Sequence, residues 1–264
     1  MQSETLEIGS CEITVERCGK GAPVVVLHGE DGPRNANAFL EKLAENFEVH
    51  VPRHAGWPDT RRASHIRTVR DVALVSQEYI ERFDGPVAVV GLSFGGWLAA
   101  EIAANAPMLV SSMVLISPIG VKLGEREDRD FADLYILPVP EREALYYSSA
   151  HVPLRKKDTN IDAFLEKAIA DDAIARYCWQ PYMHDPGLKG RLRRIRAATL
   201  IISGDRDRFI LHPAYYNGYT SLIPGARDEV IAGAGHRVEE EEPHKLAARV
   251  ANFVSAPASA RTAA

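Results

Sequence analysis

A serine flanked by glycines, in Gly91-Leu92-Ser93-Phe94-Gly95, carries the strongest chemical signal in this sequence. A serine hydroxyl is a weak nucleophile unless it is exposed, lies close to a base and has neighbouring donors that can bind an oxyanion. A sharp turn between a strand and a helix projects Oγ beyond the sheet and directs backbone N–H groups at the reacting oxygen. Such a turn leaves room only for small residues two positions before and after the serine. The pattern predicts that Ser93 is an activated nucleophile.

An ordinary strand-to-helix turn with a surface serine is the alternative interpretation of these five residues. The context favours the nucleophile, because the apolar run Val87–Val90 comes immediately before them. The segment Trp97–Ala106, rich in alanine, follows and predicts a helix that ends near Pro107. A buried strand that leads through a tight turn into a helix is the setting that this kind of nucleophile requires.

Two later loops carry a candidate acid and a candidate base. The apolar strand Thr199–Ile202 leads into a loop with Asp205 and Asp207, and the next strand leads into a loop that ends at His236. Because the carboxyl ends of parallel strands meet at one edge of a sheet, these side chains can reach Ser93. His236 would remove the Ser93 proton, and the acid would orient the ring and stabilise the imidazolium. Spacing alone leaves Asp205 and Asp207 as alternatives for the acid.

A third loop begins at His28-Gly29, directly after the buried strand Pro23–Leu27. Its backbone could bring a second N–H to the oxyanion, beside the N–H of the residue that follows the nucleophile. A glycine-rich turn with a structural role is the alternative. Glu30 and Asp31 come next, and their carboxylates would oppose a developing negative charge unless they point away or pair with cations.

Short apolar strands alternate with longer amphipathic segments along most of the chain. Repetition of strand, helix and strand predicts a mostly parallel sheet with helices on both faces. The alternation stops between residues 120 and 190, which contain helix-like segments and many aromatic residues. We therefore predict a core formed by residues 1–119 and 191–254, with a helical cap, residues 120–190, inserted after the sixth strand. The tail 255–264 is small and polar, and we expect it to be disordered.

The composition argues against several classes of function. The 264 residues are 46% hydrophobic and 25% charged, and their formal net charge of -5 is unlike the basic surface of a nucleic-acid binder. No apolar stretch is long enough to span a bilayer, and the first residues lack the pattern of a signal peptide. Three cysteines do not make a disulfide framework, and the histidines and carboxylates show no metal-ligand spacing. We expect a cytoplasmic enzyme without metal or organic cofactor, and nothing in the sequence indicates its oligomeric state.

These motifs together resemble the α/β-hydrolase superfamily, from about residue 10 to residue 254. The resemblance implies the family's fold, an eight-stranded, mostly parallel sheet flanked by helices. His28-Gly29 is similar to the family's oxyanion-loop motif, which implies the backbone N–H groups of Glu30 and Phe94 as the oxyanion donors.

The acid loop and the nucleophile segment extend this resemblance. Gly204-Asp205-Arg206-Asp207 resembles the family's G-x-x-D loop, which implies Asp207 as the acid. Residues 91–102 look most like the capped branch that includes meta-cleavage-product hydrolases and many carboxylesterases. A serine nucleophile argues against the haloalkane dehalogenases and epoxide hydrolases, which are relatives that use aspartate.

We therefore expect two-step acyl transfer, in which a small-molecule carboxylic ester forms an acyl-enzyme on Ser93. Hydrolysis of a C–C bond in a meta-cleavage-type diketone is one alternative. A non-catalytic protein that binds a small molecule is another, since a fold does not determine a function. The aromatic residues of the cap predict an apolar or aromatic substrate pocket, although they could instead form the core of the cap itself.

Overall fold

The computed structural model describes residues 1–149 and 161–256, and its centre is one eight-stranded sheet. The strands are β1 (Gln2–Ile8), β2 (Cys11–Cys18), β3 (Pro23–Leu27), β4 (Glu48–Pro52), β5 (Val87–Leu92), β6 (Val110–Ile116), β7 (Ala198–Gly204) and β8 (Arg227–Ile231). Their order in the sheet is β1-β2-β4-β3-β5-β6-β7-β8. Only β2 pairs antiparallel with its neighbours, β1 and β4, and the other pairs are parallel. The predicted eight-stranded, mostly parallel sheet is confirmed.

Helices cover both faces of this sheet. Their bounds are α1 (Asn37–Leu43), α2 (Val69–Ile80), α3 (Phe94–Asn105), α4 (Val139–Tyr146), α5 (Ile161–Cys178), α6 (Leu188–Arg191), α7 (Tyr215–Ser221), α8 (Val238–Glu241) and α9 (Pro243–Ser255). The buried faces of α2 and α3 belong to one apolar cluster, and those of α1 and α9 belong to a second cluster across the sheet. Burial on both faces explains why the central strands consist of apolar runs without alternation.

The parallel register brings the carboxyl ends of four strands to one edge of the sheet. Leu27 of β3 pairs with Gly91 of β5, Leu92 of β5 pairs with Ile116 of β6, and Ile116 also pairs with Ile202 of β7. The loops that follow β3, β5, β7 and β8 all leave the sheet at this edge. The fold therefore brings together the loops that carry the candidate residues, as ligand-binding loops do in open α/β sheets.

The segment between β6 and β7 crosses this edge. Tyr177 of α5 donates a hydrogen bond to the carbonyl of Ala55, and the Tyr146 ring of α4 lies 5.6 Å from the His236 ring. Residues 150–160 of the predicted cap and 257–264 of the predicted tail lie outside the described residues. Helix α9 extends to Ser255, the first residue of that tail. Within the described ranges, no helix is both long and apolar enough to cross a bilayer.

Candidate active site

Ser93 occupies a strained turn between β5 and α3, with φ 45° and ψ −104°. A Cβ added to Gly95 would lie 2.0 Å from the carbonyl oxygen of Leu27, and one added to Gly91 would lie 2.5 Å from the carbonyl oxygen of Gly95. Both positions therefore need glycine, Gly95 because β3 packs directly against this turn and Gly91 because the backbone of the turn itself lies against it. The helix begins at Phe94, so its predicted start at Trp97 was three residues too late. The two intervening glycines are weak helix formers that indicate a turn in the sequence, although here they lie in the first turn of the helix.

Ser93, His236 and Asp207 form one hydrogen-bonded chain at the sheet edge. Ser93 Oγ lies 2.7 Å from His236 Nε2, and His236 Nδ1 lies 2.8 Å from Asp207 Oδ2. All three side chains are buried. The geometry matches a nucleophile, a base and an orienting acid, in the order that the sequence analysis predicted.

The surroundings of Asp207 favour its charged form. Burial by itself would raise the pKa of this carboxyl, but the facing His236 ring and hydrogen bonds from Tyr216 and the backbone lower the pKa overall. Tyr216 donates its hydroxyl to Oδ2 over 2.5 Å, and the N–H groups of Phe209 and Ile210 donate to Oδ1. A carboxylate held in this way is suited to stabilise an imidazolium.

Asp205, the alternative acid, has a different partner. Its Oδ1 accepts a hydrogen bond from the backbone N–H of Gly233 over 2.6 Å. It therefore connects the β7 loop to the loop after β8, and it does not contact His236. The direction of each side chain in the folded loop therefore decides which aspartate contacts His236, and that residue is Asp207.

The loop after β3, which carries one of the two candidate oxyanion donors, is held by the segment that follows β4. The indole N–H of Trp57 donates to the carbonyl of Glu30 over 2.8 Å, and His54 Nε2 donates to the carbonyl of His28 over 2.9 Å. In the described part of the chain, neither the N–H of Glu30 nor that of Phe94 donates a hydrogen bond, which leaves both available to an oxyanion. The Trp57 contact had no counterpart in the sequence analysis, because nothing local connects a tryptophan to a loop 27 residues earlier.

Two buried histidines are part of this support. The rings of His28 and His54 stack with centroids 3.6 Å apart, and His28 Nε2 accepts the backbone N–H of His54. Burial lowers the pKa of His28 well below its usual value and lowers that of His54 to about 4. Both rings are therefore neutral at pH 7, with tautomers that their hydrogen bonds determine.

Arg237 contacts both acidic side chains that follow His28-Gly29. Its Nη1 lies 3.1 Å from Glu30 Oε2 and its Nη2 lies 2.8 Å from Asp31 Oδ2, while Lys167 approaches the other oxygen of Asp31 at 3.3 Å. The Arg237 side chain is only 3% exposed, and its guanidinium stacks 4.5 Å from the centre of the Tyr146 ring. The cation that two adjacent carboxylates require is thus the residue that directly follows His236. The sequence analysis missed Arg237. The only signal for it was that the adjacent acidic residues Glu30 and Asp31 require a nearby cation.

Glu30 contacts the candidate nucleophile itself. Its Oε1 lies 2.5 Å from Ser93 Oγ, the same atom that contacts His236 Nε2. The sequence analysis assigned only the backbone N–H of Glu30 to the site, because the direction of its side chain depends on the packing of Arg237.

A cavity of about 380 Å³ opens beside Glu30, within the size range of small-molecule sites. Three tyrosines, Tyr135, Tyr146 and Tyr147, contribute to its wall. Charged side chains also line it, namely Glu30, Asp31, Arg142, Glu143, Lys167, Asp171 and Glu240. Among the described residues, no group of three or more histidine, cysteine or acidic side chains is arranged to hold a metal ion.

Known proteins share this architecture. Over 268 aligned positions the chain is 26% identical to 2-hydroxy-6-oxo-2,4-heptadienoate hydrolase of Pseudomonas putida, with 94% of each chain covered. It is 24% identical to monoacylglycerol lipase abhd6-A of Xenopus laevis, over 93% of this chain and 79% of that one. A solved structure of a thermophilic esterase from Thermogutta terrifontis superposes over 100% of both chains, with a TM-score of 0.76 and 18% identity.

The family model described as the alpha/beta hydrolase family matches residues 24–249, which include all four loops of the candidate site. The strand order, the turn at Ser93 and this match lead to the same conclusion: the chain belongs to the alpha/beta hydrolase family.

Proposed function

We propose that this protein is a serine hydrolase that cleaves a small-molecule carboxylic ester through an acyl-enzyme on Ser93. The observation that carries the proposal is the chain of contacts from Ser93 Oγ through His236 to Asp207, at 2.7 Å and 2.8 Å. A serine hydroxyl next to a buried, oriented imidazole is the arrangement that makes serine nucleophilic.

In this mechanism Ser93 Oγ attacks the ester carbonyl while its proton passes to His236 Nε2. The carbonyl electron pair moves onto oxygen, where the backbone N–H groups of Glu30 and Phe94 bind it. Collapse of this intermediate expels the alcohol, which takes the proton from His236. Water, deprotonated by the same ring, then releases the acid from Ser93. Asp207 stays charged throughout and stabilises each imidazolium.

The cavity beside Glu30 supports a proposal for the substrate site and for the kind of substrate it would bind. In the proposal, residues 120–190 form a cap, and substrate binds between this cap and the sheet edge. The tyrosines favour an apolar or aromatic part of the substrate, and the charged lining favours a polar or ionised group beside it.

Hydrolysis of a C–C bond is the second candidate, and the cations of the cavity favour it. Arg142 and Lys167 both line the wall and could face the carboxylate of a dienoate. The similarity to 2-hydroxy-6-oxo-2,4-heptadienoate hydrolase supports this candidate as well. The same serine and histidine would serve, with a carbon leaving group in place of an alcohol.

Covalent labelling by a fluorophosphonate, followed by intact-mass measurement, tests the proposed nucleophile. We expect one adduct on the wild type and none on Ser93→Ala. Ser117→Ala is the matched control, because Ser117 is also buried, follows the neighbouring strand β6 and has a positive φ of 43°. It should still be labelled. No adduct on folded wild type would contradict the proposal and favour a non-catalytic binding protein.

Substrate panels then separate the two reactions. 4-Nitrophenyl esters and 2-hydroxy-6-oxo-2,4-heptadienoate should each be tested with wild type and Ser93→Ala. Ser93-dependent turnover of esters but not of the dienoate supports the ester proposal, and the reverse result supports C–C cleavage.

A further inference from the structure

The contacts of Ser93 Oγ require more protons than a serine, histidine and aspartate supply. Oγ lies 2.7 Å from His236 Nε2 and 2.5 Å from Glu30 Oε1, and both are hydrogen-bond distances. Each hydrogen bond needs one hydrogen, and a third must lie between His236 Nδ1 and Asp207. The serine hydroxyl has one hydrogen and a neutral imidazole has one. Both contacts of Oγ can be hydrogen bonds at the same time only when the resting site holds one additional proton.

The lowered pKa of Asp207 keeps that group a carboxylate, and with Ser93 as a hydroxyl two arrangements then place the additional proton. In the first, Glu30 is a neutral carboxylic acid that donates to Ser93 Oγ, and Ser93 donates to neutral His236. In the second, Ser93 donates to the Glu30 carboxylate, and His236 is an imidazolium that donates to Oγ. The second arrangement buries two more charges, one on the Glu30 side chain, which is 6% exposed, and one on the His236 side chain, which is 0% exposed. Desolvation opposes such charges strongly, which favours the first arrangement.

The charges around Glu30 also favour a neutral acid. Four carboxyl groups, those of Glu30, Asp31, Glu239 and Glu240, lie within 4.0 Å of the single guanidinium of Arg237. Burial, aided by the neighbouring acids, raises the pKa of Glu239 and raises that of Glu240 to about 8. This cluster therefore has too few cations to keep every carboxyl group ionised.

The other titratable groups near Glu30 come from the cap and from the sheet edge. Lys167 of α5 pairs with Asp31 rather than with Glu30. The Tyr146, Cys178 and Tyr182 side chains also face this carboxyl, and burial raises the pKa of each, so they stay neutral. Arg237 is thus the one cation in ion-pair contact with Glu30 among the described residues.

We propose that Glu30 acts as a neutral carboxylic acid, whose O–H moves from Ser93 Oγ to the oxyanion and becomes a third donor in the oxyanion hole. The inference depends on the serine hydrolase proposed above. As Oγ bonds to the carbonyl carbon, the Ser93 proton goes to His236 Nε2 and the carbonyl electron pair goes to oxygen. Glu30 donates a hydrogen bond to that oxygen and keeps its proton. When the intermediate collapses, the leaving group takes the proton from His236, and Glu30 turns back to Oγ.

This role explains why an acid can be tolerated beside an oxyanion. A carboxylate there would repel the developing charge, and it would also compete with His236 for the serine proton. A neutral carboxyl group does neither, and a buried acid that remains protonated is an effective oxyanion donor. Removal of one such donor typically lowers the rate by about 10²–10³-fold.

The test is the rate of fluorophosphonate labelling of Ser93, measured from about pH 5 to about pH 10. The phosphoryl oxygen of this probe gains negative charge during attack, so it needs the same donors as an ester. If a carboxylic acid O–H is the third donor, the wild-type rate should fall at alkaline pH, where such a donor loses its proton. Glu30→Gln keeps an N–H donor and has no proton to lose, so it should retain the neutral rate within about tenfold and lose the alkaline decline. Glu30→Ala should be slower at every pH, by about 10²–10³-fold.

Asp31→Asn is the matched control, because Asp31 shares Arg237 with Glu30 but does not contact Ser93. Its alkaline decline should persist. Infrared difference spectra supply a second readout that does not depend on activity. The difference spectrum of wild type minus Glu30→Gln should contain a carboxylic acid C=O band, and the difference spectrum of wild type minus Asp31→Asn should lack it, because the bands of Glu239 and Glu240 cancel in both.

The outcomes separate this inference from the proposed function. Labelling of Ser93 with the same pH profile in wild type and Glu30→Gln would overturn the role of Glu30 and leave the nucleophile intact. A Glu30→Gln variant that changes only the acidic side of the profile would show a Glu30 carboxylate paired with an imidazolium, which would also overturn it. No labelling of the wild type would overturn both proposals together.

Discussion

His236 Nδ1 lies 2.8 Å from Asp207 Oδ2, the same carboxylate oxygen that accepts the hydroxyl of Tyr216 over 2.5 Å. With Oδ1 bound to two backbone N–H groups, the carboxylate has little freedom to rotate. The position of the imidazole beside Ser93 is therefore determined by a rigid acid. Asp205, two residues earlier, supports the neighbouring loop instead.

Exchange of the two aspartates for asparagine should separate these roles. Asp207→Asn leaves the volume unchanged but favours the wrong histidine tautomer, and we expect kcat for ester hydrolysis to fall about 10⁴-fold. Asp205→Asn keeps an acceptor for the N–H of Gly233 and should lose less than about tenfold. Steady-state kinetics of both variants, with circular dichroism as the folding control, measure the difference. Equal losses would contradict the assignment of Asp207.

Removal of Arg237 should destabilise the folded protein. Arg237→Met leaves the Glu30 and Asp31 carboxyl groups buried without their shared cation, and loss of one partner of a buried ion pair costs about 3–5 kcal/mol. The matched control is Arg249→Met, whose pair with Glu229 at 3.7 Å is 53% and 43% exposed. That change should cost less than about 1 kcal/mol. Urea unfolding of both variants measures the difference. An Arg237→Met variant with the wild-type free energy of unfolding would refute the prediction.

Acid should destabilise the protein partly through His54. Burial lowers the pKa of His54 in the folded state to about 4, below the ordinary value of 6.5 that applies in the unfolded chain. Between these two values the unfolded chain binds more protons, so stability decreases as the pH falls through this window. The shift corresponds to a free energy on the order of 3 kcal/mol. His28, whose pKa is also lowered by burial, adds in the same direction.

Unfolding free energies at neutral and acidic pH measure this effect. His54→Gln has no proton to gain and should lose less stability on acidification than the wild type, although it is less stable at pH 7. His65→Gln, at an exposed position, should keep the full wild-type pH dependence. A His54→Gln variant with the wild-type slope would disprove the contribution of His54.

The close packing of β3 against the nucleophile turn predicts a sharp difference between two glycines. Gly95→Ala would place a methyl group 2.0 Å from the Leu27 carbonyl, so the oxyanion loop and Ser93 would have to separate. We expect loss of Ser93 labelling and a lower melting temperature. Gly190→Ala in α6 meets no atom within 4 Å and should be neutral or stabilising by up to about 1 kcal/mol. Thermal unfolding of both checks the prediction, and an active, stable Gly95→Ala would contradict it.

The architecture and the three central side chains could be inferred from the sequence, because their signals are local. Apolar runs of strand length indicate strands buried on both faces, and their alternation with helices requires parallel pairing. Parallel pairing then places Ser93, Asp207 and His236 at one edge, whatever the details of packing. The exact start of α3 was missed, because glycines in a sequence indicate a turn. Here they lie in the first turn of the helix, where the neighbouring strand packs against them.

Only the tertiary structure decided where individual side chains point. Spacing left Asp205 and Asp207 equivalent, and the folded loop directs just one of them to His236. The contact of Glu30 with Ser93 depends on Arg237, which lies about two hundred residues later in the chain, and no local pattern can encode a pair so distant. The sequence by itself determined the sheet, the loops and the turn that carries Ser93, since short-range periodicity and turn chemistry specify them. The charge balance around the oxyanion loop arises only when distant segments pack together, because burial and pairing are properties of the folded chain.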